Sequence, residues 1–322
     1  MGVSRSFNDG LNGDILPLTT GAREEGVDYL RFWADRTAAN LRHGGYLVEA
    51  ERMENCCKIF SAMMCEHCGS DRLRASPHHC GVRLCPIDEE RRAVSNRRIT
   101  RILLKTPDLH LIFLTLTFKN RPEITGEWLS ENTAGFRRFR NRKAWKEHVN
   151  GGLFTLEVIY TDEMGYHPHF HIVMDAKYWN QFEISRIWNE VTRGDGRIID
   201  IRKIRGDRVD EFCKYVAKAS QYSDQWKVTC ALFEALKGKR LFSGFGGWYG
   251  LVGEIQKEIE AERESQKCPG CGSGLTWAGS VNAQDVYRCP VEGHFFILPE
   301  KARKMILEHG NRLKRIAGIK DF

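Results

Sequence analysis

Apolar and polar positions recur along this chain with periods that divide it into helices and strands. Residues 1 to about 24 have no period and read as a loose arm. Leu30, Trp33, Ala34, Ala38 and Leu41 then predict a helix over Val27–Leu47. A second helix runs from Pro86 to Lys105, with Ile99, Ile102 and Leu103 as its apolar stripe and proline in the first turn, where it is tolerated. Leu109–Phe118 is unbroken, apolar and rich in β-formers, so it predicts a central strand. A helix over Glu127–Val149 follows, then a strand over Gly152–Tyr160 that turns through Asp162-Glu163-Met164-Gly165 into another strand. Further on come an amphipathic helix at Asn180–Thr192, a strand at Arg197–Arg205 and a helix from Arg208 to Tyr222 capped by Asp207. The glycine-rich stretch Ser243–Gly250 predicts a hinge or ordered loop, Glu254–Gln266 a charged linker helix, and Lys301–Lys320 a basic helix.

Composition sets outer bounds. At 322 residues, 42% hydrophobic and 28% charged, the chain has the make-up of a soluble protein of about two domains. Its longest apolar run is half of what a membrane span needs, and Met1–Gly21 carries no secretion signal. The net charge of +7 permits nucleic-acid binding without requiring it. Eleven cysteines, two pairs of them spaced CxxC, suit metal binding in a reducing compartment. The expected location is therefore the cytoplasm.

The densest chemistry lies in Gly165-Tyr166-His167-Pro168-His169-Phe170-His171-Ile172-Val173. On a strand, His169 and His171 share one face while Phe170 and Ile172 turn to the other and hold the pair rigid. Two imidazoles about 7 Å apart along the strand can close on one divalent ion. In the hairpin Glu157 can lie opposite these histidines; the register, which the sequence leaves open, makes it either an oxygen ligand that leaves open positions for substrate or a surface glutamate.

Two thiol-rich segments predict structural zinc. The first set is Cys65 and Cys68 with Cys80 and Cys85, with His67, His78 or His79 as possible replacements. The second is Cys268 and Cys271 with Cys289 and His294, spaced as in a zinc ribbon. Cys56 and Cys57 read as core or spare thiols. Two helices have basic faces, one with Arg91, Arg92, Arg97 and Arg98, the other with Arg137, Arg138 and Arg140 among Phe136, Phe139 and Trp145. Both faces are candidates for tracking DNA phosphates, against the plainer reading of solvated helix surface. On the helix after Asp207, Glu211, Tyr215, Lys218 and Tyr222 fall on one side, placing a phenol between a carboxylate and an ammonium.

Three motifs in order resemble the HUH endonucleases, specifically the rolling-circle replication initiators of plasmids and small viruses. Phe113-Leu114-Thr115-Leu116-Thr117 is similar to their first strand motif, His167-Pro168-His169-Phe170-His171 to the metal motif, and Tyr215-x2-Lys218 to the nucleophile motif. Glu211 resembles the glutamate of one plasmid subgroup, as does the cysteine-rich segment around Cys85-Pro86, although Asp88 stands where relatives often carry cysteine. The resemblance covers roughly residues 65 to 222.

It implies an α+β, HUH endonuclease fold: a central antiparallel sheet of about five strands flanked by helices, with zinc-binding additions. The expected organisation is an arm and helix (1–50), a cysteine-rich segment with basic helix (51–105), a catalytic core (106–225), a helical linker (226–266) and a zinc ribbon with basic tail (267–322). The implied activity is metal-dependent nicking of single-stranded or hairpin DNA at a replication origin in a prokaryotic cell. Tyr215 would attack, leaving a 5′-phosphotyrosine and a free 3′-OH. Glu211 would serve as general base and Lys218 as charge stabiliser, with Mn²⁺ or Mg²⁺ at His169, His171 and Glu157. No Walker-type loop occurs, so a host helicase and polymerase are the expected partners. The rival readings are a single-strand HUH transposase, in which Tyr222 is a second nucleophile, and a non-catalytic zinc-dependent DNA-binding regulator.

Overall fold

The computed structural model describes residues 22–68, 72–204, 224–264, 267–268, 270–288 and 295–316, and the side chains of these apart from 22–28, 197–199, 262–264 and 310–316. The chain divides into two compact units, one of residues 1–33, 57–78 and 267–322, the other of residues 34–56 and 79–266. Each is organised on its own five-stranded antiparallel sheet flanked by helices, an α+β arrangement. Among the described residues, no helix is long and apolar enough to cross a membrane.

The larger sheet contains β3 (Leu111–Phe118), β4 (Val149–Thr161), β5 (Gly165–Ala176), β6 (Gly196–Lys203) and β7 (Phe242–Gly246) in the order β6-β3-β5-β4-β7. The histidine strand β5 is central, which explains its nearly continuous burial. Strand alternation sorts the residues between two faces. Leu114, Leu116, Phe118, Phe154, Leu156, Phe170 and Ile172 meet α4 (Gly126–Arg140), α5 (Lys143–His148) and α6 (Gln181–Val191) through Phe136, Phe139, Trp145, Ile187 and Trp188. On the opposite face Leu111, Phe113, Leu153 and Val173 pack against α3 (Pro86–Leu104) and the helix Trp248–Glu264. That second face is apolar at one end only. Beyond Phe113 and Val173 it carries Thr115, Thr117, Thr155, Glu157, His169 and His171, a polar half that no core requires.

Three sequence expectations change. The helix expected over Glu127–Val149 breaks at Asn141 and Arg142, where Arg142 is extended with φ −66° and ψ 145°, and the chain enters β4 at Val149. The glycine-rich stretch is neither hinge nor loop: Phe242–Gly246 is the edge strand β7, with Gly152 opposite Phe245. Glycine is needed there because a Cβ on Gly152 would come within 2.4 Å of the Val173 carbonyl oxygen and 2.6 Å of the Phe245 ring. The expected linker helix buries Trp248, Val252 and Ile259 against the sheet, so it is part of the core.

The smaller sheet contains β1 (Ile59–Met64), β2 (Arg74–Pro77), β8 (Thr276–Asn282), β9 (Val286–Arg288) and β10 (Phe295–Ile297) in the order β8-β1-β2-β10-β9. Phe60, Ala62, Leu73, Val281 and Ile297 form its core with Ala302 and Met305 of the helix Pro299–Ile316. Segments more than 200 residues apart thus share one sheet, although a linear reading placed them in separate zinc-bearing parts. Sequence distance says nothing about strand pairing, and β1 finds its partner in β8 through the register Phe60–Val281 and Met64–Thr276.

Candidate functional site

The polar half of the larger sheet is set by one turn. Thr161 pairs with Gly165 across a three-residue loop, and the Met164 N–H is satisfied by Thr161 Oγ1 at 3.2 Å. The ladder then continues without a shift from Thr161 as far as Gly151, which places Glu157 directly opposite His169. On the other side β3 brings Thr117 opposite His169 and Thr115 opposite His171. A slip of one residue in either ladder would turn the donors to the opposite face.

The three expected donors converge. His169 Nε2 lies 2.6 Å and His171 Nε2 3.0 Å from the same oxygen of Glu157. All three are largely withdrawn from solvent, with Glu157 at 5% and His169 at 6% exposure. These separations suit a metal: neighbouring ligands of an octahedral ion with bonds of about 2.1 Å lie about 3.0 Å apart. His171 stacks on Phe113, with centroids 5.8 Å apart, and its Nδ1 sits 3.5 Å from Thr115 Oγ1. His169 Nδ1 is buried with no hydrogen-bond partner among the described residues. His167 bonds the Asn120 side chain, and burial followed by the His169 charge pushes its pKa down. Asp200, opposite Thr115 on β6, is a further carboxylate at this level of the sheet and holds Arg202 at 2.8 Å.

Beside Glu157 opens a cleft of about 390 Å³. Its floor is Thr155–Glu157 with Phe242, and Arg83, Arg91, Arg92, Lys239 and Arg240 line it. Arg92 contacts Glu89 and the Val82 carbonyl, while its buried Nε has no hydrogen-bond partner among the described residues. Sequence reading picked Arg91 and Arg92 but missed Arg83, Lys239 and Arg240. The run Lys237-Gly238-Lys239-Arg240 was the available signal for the last two. The other candidates are placed differently. Arg97 pairs with Glu90 at 2.7 Å, and Arg98 is exposed on α3. Arg137 is exposed on α4, which covers the sheet face opposite the triad. Arg138 ties α4 to the Val191 carbonyl, and Arg140 lies over the rings of Phe136 and Phe245. The aromatic residues of α4 are core, not an exposed stacking platform.

The thiols are also regrouped. Cys65 and Cys68 meet Cys268 and Cys271, while Cys80 and Cys85 converge with Cys56 and Asp88. The pairing of β1 with β8 is the reason: Cys65 follows the last residue of β1, Cys271 precedes β8, and Met64 lies opposite Thr276. In the first group sulfur atoms stand 3.5–3.6 Å apart, close to the edge of about 3.8 Å in a tetrahedron with Zn–S bonds of about 2.3 Å. Hydrogen bonds from Ser273 bring the Cys271 thiol down to about 6, and the backbone N–H of Gly270 lowers Cys268. Both shifts favour the thiolate form that binds metal. His67 is exposed, His78 bonds Ser61 at 2.8 Å, and His79 bonds Asp88 at 2.9 Å. Cys289, His294, Glu211, Tyr215, Lys218 and Tyr222 lie outside the described residues.

With this geometry in hand, comparison with known proteins is decisive on one point. Residues 71–270 match the family described as "Replication protein" (Rep_1), more than half of the chain. The chain belongs to this family. Its relatives include a "Protein rep" of Bacillus amyloliquefaciens, 29% identical over 255 residues that cover 66% of this chain and 74% of the relative. A "Protein rep" of Streptococcus pneumoniae serotype 2 is 29% identical over 235 residues, 65% of this chain and 72% of its own. A "Replication protein" of Staphylococcus aureus is 26% identical over 195 residues, 52% and 81% respectively. No solved structure matches. The family segment contains the triad, the basic cleft and the Cys56 partners Cys80, Cys85 and Asp88, whereas Cys65, Cys68 and Cys271 fall outside it.

Proposed function

We propose that this chain initiates rolling-circle replication by nicking one strand of origin DNA through a tyrosine. The observation that carries the reading is the convergence of Glu157, His169 and His171 on one buried point beside a basic cleft, within a segment of the replication-protein family. Glu157, His169 and His171 would hold a divalent ion such as Mn²⁺ or Mg²⁺, which would supply Lewis-acid polarisation of a phosphodiester oxygen. Phe170 and Ile172, fully buried beneath the histidines, keep the ligands rigid. Arg83, Arg91, Arg92, Lys239 and Arg240 seat the adjoining backbone of single-stranded or hairpin DNA by charge.

The nucleophile in this reading is Tyr215, which follows β6 in the chain. Its oxygen attacks phosphorus as its proton passes to solvent water. The bond to the 3′ oxygen breaks with its electron pair, and that oxygen takes up a proton from water, leaving a 5′-phosphotyrosine and a free 3′-OH. Lys218 stabilises the developing charge, and Glu211 later takes a proton from the water that ends the cycle. A host helicase and polymerase would do the unwinding and synthesis. The four thiols Cys65, Cys68, Cys268 and Cys271 hold a structural zinc.

The test is incubation with a mixed pool of single-stranded and hairpin oligonucleotides and Mn²⁺, read by denaturing gel and mass spectrometry. A covalent adduct on Tyr215, abolished by Tyr215→Phe and by chelation, is the expected result. DNA binding with neither adduct nor nick would replace the proposal with a non-catalytic regulator. An adduct on Tyr222 would leave the metal centre standing and remove Tyr215 from its role.

A further inference from the structure

The second thiol group is unlike the first. Cys56 follows α2 (Leu47–Glu54), Cys80 and Cys85 flank a short loop, and Asp88 lies in the first turn of α3. Their donor atoms all lie within 4.8 Å of one another. None touches solvent appreciably: Cys56 is 1%, Cys80 6%, and Cys85 and Asp88 0% exposed. A fully buried carboxylate among three buried sulfurs is costly unless something draws those groups together.

The backbone between these residues folds tightly and turns N–H groups toward the sulfurs. Gly81 and Leu84 both adopt φ of +68°, which folds the chain between Cys80 and Cys85 into a tight knuckle. The Val82 N–H points at Cys80 Sγ and the Cys80 N–H at Cys56 Sγ, each at 3.4 Å. Pro86 in the first turn of α3 brings Asp88 back over the knuckle. The two Asp88 oxygens are divided. Oδ2 faces the sulfurs, 3.3 Å from Cys80 Sγ, and accepts the Gly81 N–H. Oδ1 faces outward to His79 Nδ1 at 2.9 Å and Arg91 Nε at 3.3 Å.

We propose that Cys56, Cys80, Cys85 and Asp88 form a second structural zinc site, with three thiolates and the Oδ2 oxygen of Asp88 as its closed tetrahedron. Aspartate supplies the fourth ligand where a thiolate would otherwise complete the set, and zinc accepts either. His79 and Arg91 orient the carboxylate from outside the coordination sphere and offset the negative charge of four anionic ligands. Arg52 adds to this by bonding the Cys80 carbonyl at 2.5 Å. The site fastens the end of α2 to the beginning of α3, the helix that carries Arg91 and Arg92 to the cleft. It stands independently of the nicking reading.

The test uses full-length protein from zinc-supplemented medium, with metal counted by mass spectrometry and ligands counted by X-ray absorption at the zinc edge. Two zincs per chain are expected, and one in the Cys268→Ser/Cys271→Ser variant. The retained zinc should show three sulfurs at about 2.3 Å and one oxygen at about 2.1 Å. Adding Asp88→Cys should keep that zinc and raise its shell to four sulfurs. If circular dichroism shows that the double variant does not fold, the comparison moves to the otherwise unaltered chain. There the average of about 3.5 sulfurs per zinc should rise to about 4 on Asp88→Cys. A single zinc with four sulfurs, a folded double variant without zinc, or a sulfur count unmoved by Asp88→Cys overturns the proposal.

Discussion

Gly165 closes the hairpin that positions the triad, and its replacement by alanine separates two effects that are usually confounded. Its φ is +73°, and a Cβ there would lie 2.3 Å from the Arg121 carbonyl oxygen and 3.0 Å from Pro122 Cα. That oxygen cannot move freely, because it accepts the Tyr166 N–H at 2.7 Å while the Arg121 N–H bonds the Tyr166 carbonyl. Gly238 is a matched control: its φ is +70°, with nothing within 4 Å of an added Cβ. Gly238→Ala therefore bears only the left-handed backbone cost, about 1–2 kcal/mol. Gly165→Ala bears the same cost plus the backbone displacement and a weakened bridge, about 3–4 kcal/mol in all. Urea unfolding of both variants, compared through their midpoints, measures the difference. Mn²⁺ titration by calorimetry provides the second readout, with affinity reduced in Gly165→Ala and unchanged in Gly238→Ala. Equal destabilisation, or Mn²⁺ affinity untouched in a destabilised Gly165→Ala, would refute the claim that this turn fixes the register of Glu157 against His169.

Five further outcomes are expected. Glu157→Gln keeps the shape of the side chain but removes its charge, so Mn²⁺ affinity should fall at least about tenfold while the unfolding midpoint changes little; unchanged affinity would remove Glu157 from the ligand set. Phe170→Ala, beneath the histidines and fully buried, should cost about 3–5 kcal/mol by urea unfolding. Arg83→Ala with Arg240→Ala should weaken single-stranded DNA binding and flatten its salt dependence by about one to two in slope. Arg140→Ala, whose guanidinium lies over core rings, should lower stability and leave DNA affinity in place; anisotropy titrations at several salt concentrations distinguish the two. Burial, then the Tyr160 charge, pushes the Tyr166 phenol from 10.0 up to about 12. A raised pKa gives stability that is complete below pH 10 and lost as the pH climbs toward 12, and Tyr166→Phe should flatten that loss in alkaline unfolding curves.

The division between what sequence and fold each determine is visible in particular residues. Alternation alone puts His169 and His171 on one face and Phe170 and Ile172 on the other, because the strand period of two is a property of the backbone. Local signals likewise mark Pro86 at the start of α3 and Asn180 as the first residue of the next amphipathic helix; the structure makes Asn180 the cap of α6, its side chain accepting the Phe182 N–H at 2.8 Å. The glycine-rich stretch misleads for the same local reason. Its glycines read as a break, yet they serve the close approach of β7 to Gly151 and Gly152. Arg138 and Arg140 read as a basic face but are occupied by the Val191 carbonyl and by aromatic rings that only packing brings near.

The thiol groups show the limit most clearly. CxxC spacing identifies Cys65 with Cys68 and Cys268 with Cys271 as two pairs, since a knuckle is made within four residues. It cannot say that the pairs belong together, because that depends on β1 meeting β8 across 200 residues of intervening chain. Nor can it bring Asp88 to Cys56, which takes the turn at Gly81 and Leu84 and the direction in which α3 leaves Cys85. Residue types and local periods thus decide which side chains are capable of chemistry. Strand register and helix packing, fixed by long-range burial, decide which of them meet.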